Sequence, residues 1–445
     1  MFLTVRLFSI MVLFFNTTLV TFPALASSAS GTIPHEEAMD IPTVNDENLR
    51  VELVSSGLDF PTSMAFLGPE DILVLEKNKG TVQRIKNSVM FEEPVLDENV
   101  ANEAESGMGG ISISEQNGHT DVFLYYTEAE KEDGGRPIGN RLYKYQFDEG
   151  TLVNRQRLLD LPATPEPRHN GGALTVGPDN DIYLPIGDVG FMDGQISNND
   201  DGPPPDGRGG ILRVKQQDEA VGTRVNGDDG ENNDENNSID GILGDEDPLN
   251  KYYAYGIRNS FGIDFDPVTG KLWDTENGPN FGDEINLVEP GFNSGWNRVQ
   301  GFWENDEGNR GDVAPSDPEG LVSFGDKGKY STPELTWINR VAPTALKFLD
   351  SDRLGNEYRN DIFVSEFNYG RIYHFDLEST RTELLLDERL QDKIVDNSGE
   401  IERHIFGQGF GAITDMEVSP DGNLYILSNY EDKKGVLFRI VSKSI

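Results

Sequence analysis

The sequence predicts an all-β protein, a six-bladed β-propeller. One strand–turn–strand pattern recurs six times, and 48 Gly and 24 Pro favour turns over long helices. A single hairpin cannot bury its apolar face alone, whereas a closed ring of six can, and closure also protects the strand edges. A β-sandwich or two smaller β domains remain open as alternatives.

Each repeat consists of a short alternating strand, a turn rich in Pro, Asp or Gly, and an apolar strand. In five of the repeats a third alternating strand follows, at 81–85, 141–145, 211–214, 371–375 and 436–440. One four-stranded blade needs ~40–50 residues, so the two longest intervals between repeats are predicted to contain insertions. The apolar strands centre on Leu73, Phe123, Tyr183, Trp273, Phe363 and Tyr425.

The first 26 residues are predicted to be a signal peptide. Arg6 precedes an apolar run from 7 to 22, and small residues at Ala24 and Ala26 fit a cleavage site. An uncleaved membrane anchor is the alternative. Residues 27–48 are predicted to be a polar linker and 49–445 the propeller. No later run approaches ~18 apolar residues, so the mature chain is expected to have no membrane span and to be secreted or extracytoplasmic.

The chain is strongly acidic and lacks cysteine. Lys and Arg number 37 against 78 Asp and Glu, a net charge of −41, which argues against a nucleic-acid partner. Zero Cys excludes disulfides, Cys-ligated zinc, iron–sulfur clusters and thiol catalysis. Acidic residues concentrate in a predicted insertion near 190–248. Such an oxygen-rich loop can hold calcium or can be a solvated surface loop.

Two segments carry side chains suited to catalysis. His169 lies between a Pro-rich loop and a Gly pair, and Asp188 follows the next predicted strand. Such a histidine can act as a general base while a carboxylate sets its tautomer, or it can be a structural or surface residue. In the second segment, Arg258 and Asn259 offer donors that can stabilise negative charge on a carbonyl oxygen, although Arg-Asn is also a common turn pair.

A third segment, 276–296, is rich in oxygen ligands. It contains Glu276, Asp283 and Glu284 together with several Asn residues and glycines. Such a loop can direct carboxylates and backbone carbonyls toward one hard cation, and calcium is favoured over zinc because sulfur is absent. A solvated turn is the alternative interpretation.

These motifs, in this order, resemble the soluble glucose/sorbosone dehydrogenase family. The resemblance runs from about Leu53 to Ile440 and implies a six-bladed propeller that oxidises aldose sugars with pyrroloquinoline quinone (PQQ) and calcium. It is carried by these motifs: His169-Asn170-Gly171-Gly172, Gly177-Pro178-Asp179, Ile186-Gly187-Asp188, Arg258-Asn259, Glu276-x-Gly278-Pro279, Asp283-Glu284-Ile285-Asn286-Leu287, Asn293-x-Gly295-Trp296 and Ser419-Pro420-Asp421-Gly422.

The resemblance also implies roles for individual residues. His169 matches the base that takes the sugar's anomeric hydroxyl proton, and Asp188 matches its carboxylate partner. Arg258 and Asn259 match groups that hold the quinone oxygens, with Glu105 near the cofactor. The matched calcium ligands are the backbone carbonyls of Gly278 and Pro279 at the cofactor and, at a second, structural position, Glu284, Ser294 through its backbone, and Glu304.

Two departures from the family pattern affect the cofactor. Ala412 and Thr414 stand where enzymatic members carry an Arg-x-Arg pair that clamps the cofactor's carboxylates, and Asn368 stands where they carry Lys. Each lost charge-assisted hydrogen bond costs roughly 1.5–3 kcal/mol. Three functions therefore stay open: a calcium-containing, PQQ-dependent sugar or alcohol dehydrogenase with an external electron acceptor, a non-redox calcium-bound propeller that binds a glycan or protein, and a calcium-assisted lactone hydrolase.

Overall fold

A computed structural model describes residues 41–116, 118–216, 241–430 and 434–443. Within these ranges the chain forms 32 β-strands, and its helical content is limited to four single 3₁₀ turns, at Gln195–Ser197, Leu249–Lys251, Asn356–Tyr358 and Glu402–His404. The predicted signal peptide and most of the predicted linker lie outside the described residues. None of the described helices is long and apolar enough to cross a membrane.

The first half of the chain builds two leading strands and three blades. The leading strands are β1 (Thr43–Val44) and β2 (Leu49–Asp59). Blade 1 comprises β3 (Pro61–Gly68), β4 (Asp71–Glu76), β5 (Thr81–Lys86), β6 (Val89–Met90) and β7 (Leu96–Asp97). Blade 2 comprises β8 (Met108–Gln116), β9 (His119–Ala129), β10 (Pro137–Asp148) and β11 (Thr151–Leu161). Blade 3 begins with β12 (Thr175–Val176), β13 (Ile182–Ile186), β14 (Gly210–Val214) and β15 (Tyr252–Tyr255).

The second half builds the other three blades. Blade 4 begins with β16 (Ser260–Phe265), β17 (Leu272–Glu276) and β18 (Asp283–Val288). An excursion follows, with β19 (Phe292–Asn293), β20 (Val299–Gln300), β21 (Trp303–Asp306), β22 (Asn309–Val313), β23 (Lys329–Tyr330) and β24 (Leu335–Trp337). Blade 5 comprises β25 (Pro343–Phe348), β26 (Ile362–Glu366), β27 (Arg371–Phe375) and β29 (Ile405–Gln408), and β28 (Ile394–Val395) precedes its last strand. Blade 6 contains β30 (Ala412–Val418), β31 (Leu424–Tyr430) and β32 (Lys434–Ser442).

The excursion completes blade 4, extends blade 3 and adds a small sheet. Strand β24 becomes the fourth strand of blade 4 and pairs with β28, while β19 and β23 extend the outer edge of blade 3. Strands β20–β22 form a separate three-stranded sheet. The predicted insertion near 190–248 is not one continuous loop, because the blade strand β14 divides it into two loops. Residues 217–240 of it lie outside the described ranges.

The six blades form a closed ring. The first strand of each blade contacts the first strand of the next, in the order β3, β8, β12, β16, β25, β30 and back to β3. Strand β2, from the start of the domain, pairs antiparallel with β32 from its end and completes blade 6. The predicted six-bladed all-β architecture is confirmed. The apolar residues at the centres of the six repeats all lie buried on the second strands of their blades: Leu73, Phe123, Tyr183, Trp273, Phe363 and Tyr425.

Candidate active site

The loops at one face of the ring surround a cavity of about 890 Å³. In every blade the first strand begins at this face and the second strand ends there, because consecutive strands are antiparallel. Residues that precede first strands or follow second strands therefore converge on the ring axis. The predicted residues that line the cavity are Glu105, His169, Arg258, Asn259, Gly278, Asn368 and Thr414.

His169 and Asp188 form a directed pair. Nδ1 of His169 lies 2.6 Å from Oδ1 of Asp188. Since a carboxylate only accepts, Nδ1 carries the proton of this bond, and Nε2 is the nitrogen left as a base. The turn that brings them together depends on Gly187, where a Cβ atom would lie 2.3 Å from the carbonyl oxygen of Arg258.

The Asp188 carboxylate is fixed by two further donors. It is 1% exposed, Oδ1 also accepts from the backbone N–H of Gly190 at 2.8 Å, and Oδ2 accepts from Nε1 of Trp296 at 2.8 Å. An acceptor held on both oxygens has little freedom to rotate, so it orients the imidazole of His169 and can stabilise it when protonated.

Glu105 and Asn259 brace the same loop. Oε2 of Glu105 accepts from the backbone N–H of His169 at 2.6 Å and from Nδ2 of Asn259 at 3.1 Å. Oδ1 of Asn259 accepts from the backbone N–H of Gly171 at 3.2 Å. These bonds link the segment before blade 2 to the loops before blades 3 and 4, so the three loops share one network.

Arg258 is a partly buried cation with unused donor capacity. Its backbone N–H donates to Oε1 of Glu276 at 2.7 Å, and Nη1 donates to the carbonyl oxygens of Asn277 at 2.8 Å and Gly278 at 3.1 Å. Its Nε is buried without a hydrogen-bond partner among the described residues, and desolvation lowers the pKa of the guanidinium. Its Cζ lies 5.4 Å from the ring of Trp296. An unpartnered donor beside a cavity is suited to an anionic or carbonyl ligand.

The two carbonyls matched to the cofactor-site calcium face arginines. Gly278 O accepts from Arg258, and Pro279 O accepts from Nη1 of Arg340 at 3.0 Å. Asp283, beside them, accepts three backbone N–H bonds, from Gly278, Val341 and Ala342. In this arrangement each carbonyl oxygen accepts a hydrogen bond from a guanidinium group on the side where a metal cation would have to bind.

A second oxygen cluster lies deeper, between β17 and β18. Asp274, Glu276 and Glu284 are at most 1% exposed, and the hydroxyl of Ser294 donates to Glu276 at 2.5 Å and lies 3.4 Å from Glu284. Burial raises the pKa of Asp274 to about 7 and of Glu284 to about 8, and it raises the pKa of Glu276 well above its usual value. Glu304, by contrast, is exposed on β21 and lines a neighbouring cavity of about 1180 Å³.

Sequence reasoning missed four charged residues of the main cavity, Lys77, Glu166, Arg340 and Asp415. Lys77 directly follows β4, Arg340 precedes β25 and Asp415 lies in β30. Lys77 is 6% exposed, and its desolvation lowers the pKa to about 8. The available signal was positional: like Asp188 after β13, Lys77 is the polar residue that follows the second strand of its blade.

Comparison with known proteins identifies the family. The family model described as Glucose / Sorbosone dehydrogenase matches residues 58–439, which is most of the chain. The chain belongs to the glucose/sorbosone dehydrogenase family. Membership in this family makes the protein an oxidoreductase, as the motif resemblance predicted.

Individual relatives are distant. An uncharacterized protein of Synechocystis is 27% identical over 96% of this chain and 98% of its own length. Quinoprotein glucose dehydrogenase B of Acinetobacter calcoaceticus is 26% identical over 73% of this chain and 69% of its own. The PQQ-bound aldose sugar dehydrogenase of Streptomyces coelicolor has a similar fold, with a TM-score of 0.59 and 20% identity over 90% of this chain and 99% of its own. At such identities a structural likeness establishes the fold alone.

Proposed function

We propose that the protein is an extracytoplasmic, PQQ-dependent dehydrogenase that oxidises a hydroxyl of an aldose sugar or related alcohol and passes the electrons to an external acceptor. The observation that carries this proposal is the His169–Asp188 pair, 2.6 Å apart, at the wall of the cavity that Arg258 and Asn259 also line. The predicted signal peptide at 1–26 supports export.

The cationic side chains of the cavity suit a tricarboxylate quinone. Four cationic side chains line it, Lys77, Arg168, Arg258 and Arg340, although the family clamp positions are Ala412, Thr414 and Asn368. Arg340 and Lys77 lie on loops of blades 5 and 1, on either side of blade 6, which carries Ala412 and Thr414. These cations therefore supply carboxylate partners from neighbouring loops.

Each protein group has a separate task in the oxidation. When bound, PQQ supplies the acceptor for a hydride from the substrate carbon. His169 takes the hydroxyl proton at Nε2, and Asp188 stabilises the imidazolium that results. Arg258 offers to developing negative charge its Nε, which has no partner within the described part of the chain, and Asn259 is held rigid by Glu105 and the Gly171 N–H.

The residues fit calcium at one of the two predicted positions. Glu284, with Asp274 and Glu276, forms a buried oxygen set, and both carboxylate oxygens of Asp274 are without a hydrogen-bond partner among the described residues. A divalent cation would neutralise this set, and calcium takes oxygen ligands of this kind. Gly278 and Pro279 do not fit a cation as arranged, because Arg258 and Arg340 already bond to their carbonyls.

The proposal is tested by dye-linked oxidation of aldoses with calcium and PQQ added to the purified protein. We expect turnover by the natural chain and a loss of about 10²–10⁴-fold in His169→Ala with PQQ affinity largely kept, because only the base is removed. His119→Ala, at an exposed position of the β8–β9 hairpin, is the matched control and should keep full activity.

Three outcomes would contradict the proposal. Full turnover in His169→Ala would overturn the assigned base. Failure to bind PQQ, combined with glycan or protein binding, would favour the non-redox propeller that the missing clamp suggests. Calcium-dependent lactone hydrolysis without aldose oxidation would favour the hydrolase.

A further inference from the structure

Four blades share a polar arrangement at the face opposite the candidate active site. In each of these blades an Asp at the start of the second strand faces the third strand. In three of them a Lys or Arg on the third strand forms an ion pair with this Asp. The distances are 2.6 Å for Arg84–Asp71, 2.6 Å for Lys144–Asp121 and 2.7 Å for Arg213–Asp181.

Blade 5 changes this arrangement. Asp361 occupies the Asp position, but its partner on β27 is His374, with Nε2 3.0 Å from Oδ2 of Asp361. The register of β26 and β27, in which Phe363 pairs with His374 and Ile362 with Phe375, continues to place Asp376 directly opposite Asp361. In blade 1 the residue facing the Asp is Lys86, and in blade 2 it is Gln146.

The different residues at these positions of blade 5 reverse the local charge. Blade 1 sets one carboxylate against two cations, Arg84 and Lys86. Blade 5 sets two carboxylates, Asp361 and Asp376, against the imidazole of His374, which carries a positive charge only when it is protonated. Like charges directly opposite each other on antiparallel strands are destabilising. A bound cation removes that cost.

The three side chains converge as metal ligands do. One ligand atom from each of Asp361, His374 and Asp376 lies within 4.8 Å of the other two. The imidazole is held by Phe363, with ring centroids 5.0 Å apart, and by Tyr358 at 5.1 Å. Asp376 is exposed, so an ion can reach the cluster from solvent.

We propose that Asp361, His374 and Asp376 bind a divalent transition-metal ion, zinc in the first instance. The site is in blade 5, at the face of the ring opposite the candidate active site. One nitrogen and two carboxylate oxygens are three ligands of a tetrahedral zinc site, and water takes the fourth position. Imidazole favours zinc over calcium. The site lies at the end of β26 away from Asn368, which lines the PQQ cavity, so it is independent of the proposed oxidation.

To test this site, the full chain is treated with a chelator and afterwards saturated with calcium, and zinc is then titrated into it in a calorimeter. We expect one zinc ion per chain and a rise in melting temperature. Asp376→Asn and His374→Arg should weaken zinc binding at least tenfold. His374→Arg is chosen because it recreates the Arg–Asp pair of blades 1 and 3 and should therefore fold. His119→Gln, at an exposed histidine, should bind as the natural chain does.

The outcomes are separable. Absence of zinc binding by the natural chain, or unchanged binding in both His374→Arg and Asp376→Asn, would overturn the site. Unchanged PQQ binding in either variant is expected and leaves the proposed oxidation unaffected.

Discussion

At the scale of single residues, hydrogen bonds from neighbouring groups fix the orientation of the side chains in the candidate active site. Asp188 accepts bonds from His169, Gly190 and Trp296, and Glu105 accepts from His169 and Asn259. The sequence predicted the His169–Asp188 pairing from family motifs, but it could not assign Trp296 a role, because its bond to Asp188 spans 108 residues of sequence. A base that is held in one tautomer and one direction needs no reorganisation during proton transfer.

Replacing Trp296 with Phe tests this orientation. The change removes the Nε1 donor to Asp188 and keeps an aromatic ring near Arg258. Because a hydrogen bond to a charged group contributes roughly 1.5–3 kcal/mol, of which only part acts on the reaction, we expect kcat to fall about tenfold with little change in PQQ affinity. Trp337→Phe is the control, since Trp337 Nε1 has no partner among the described residues. Equal kcat values for both variants would show that Trp296 does not orient the base.

At the scale of elements, the first strands of the blades both build the ring and fill its axis. Lys347 on β25 lies 2.9 Å from Glu417 on β30 and 3.6 Å from Asp264 on β16, so one cation joins three blades. Desolvation lowers the pKa of Lys347, but the neighbouring carboxylates outweigh it and raise the pKa above its usual value. The alternation of these strands was predictable, whereas which inward positions carry charge was not, because one residue per strand decides it.

Removing the Lys347 charge tests how much this ion cluster stabilises the ring. Lys347→Met leaves Asp264 and Glu417 without their cation. Loss of one partner of a fully buried pair costs about 3–5 kcal/mol, and we expect about 2 kcal/mol in the free energy of unfolding because 17% of the Lys347 side chain is exposed. Lys271→Met, which breaks the exposed pair with Glu289, should cost less than about 1 kcal/mol. Denaturant unfolding of both variants measures the difference, and equal costs would contradict the account.

At the scale of the whole molecule, closure of the ring brings distant segments into one site. The six repeats predicted the blade number, and the six apolar centres all lie on second strands. The closing strand β2 was not predicted, because its partner β32 lies nearly 400 residues away and no local pattern indicates it. Lys77 and Arg340 were missed for a related reason: a cation at a strand end is ordinarily solvated, and only the ring makes it face a shared cavity.

Removal of β2 tests the importance of closure. A variant that begins at Pro61 leaves the edge of β32 unpaired, and we expect a lower melting temperature and a tendency to associate, since an exposed strand edge pairs with other chains. A variant that begins at Asn45 also lacks β1 but keeps β2, and it serves as the matched control. Thermal melts and sedimentation compare the two, and an equally stable, monomeric Pro61 variant would argue against closure by β2.

Calorimetric titration of PQQ into the natural chain tests the central claim most directly. If the loops of one ring assemble a quinone site from His169, Arg258, Lys77 and Arg340, the titration will show saturable binding of one PQQ per chain. Arg340→Gln will weaken that binding about tenfold, through loss of one charge-assisted hydrogen bond. Absence of binding at high micromolar PQQ, in a chain whose fold is intact, would contradict the account.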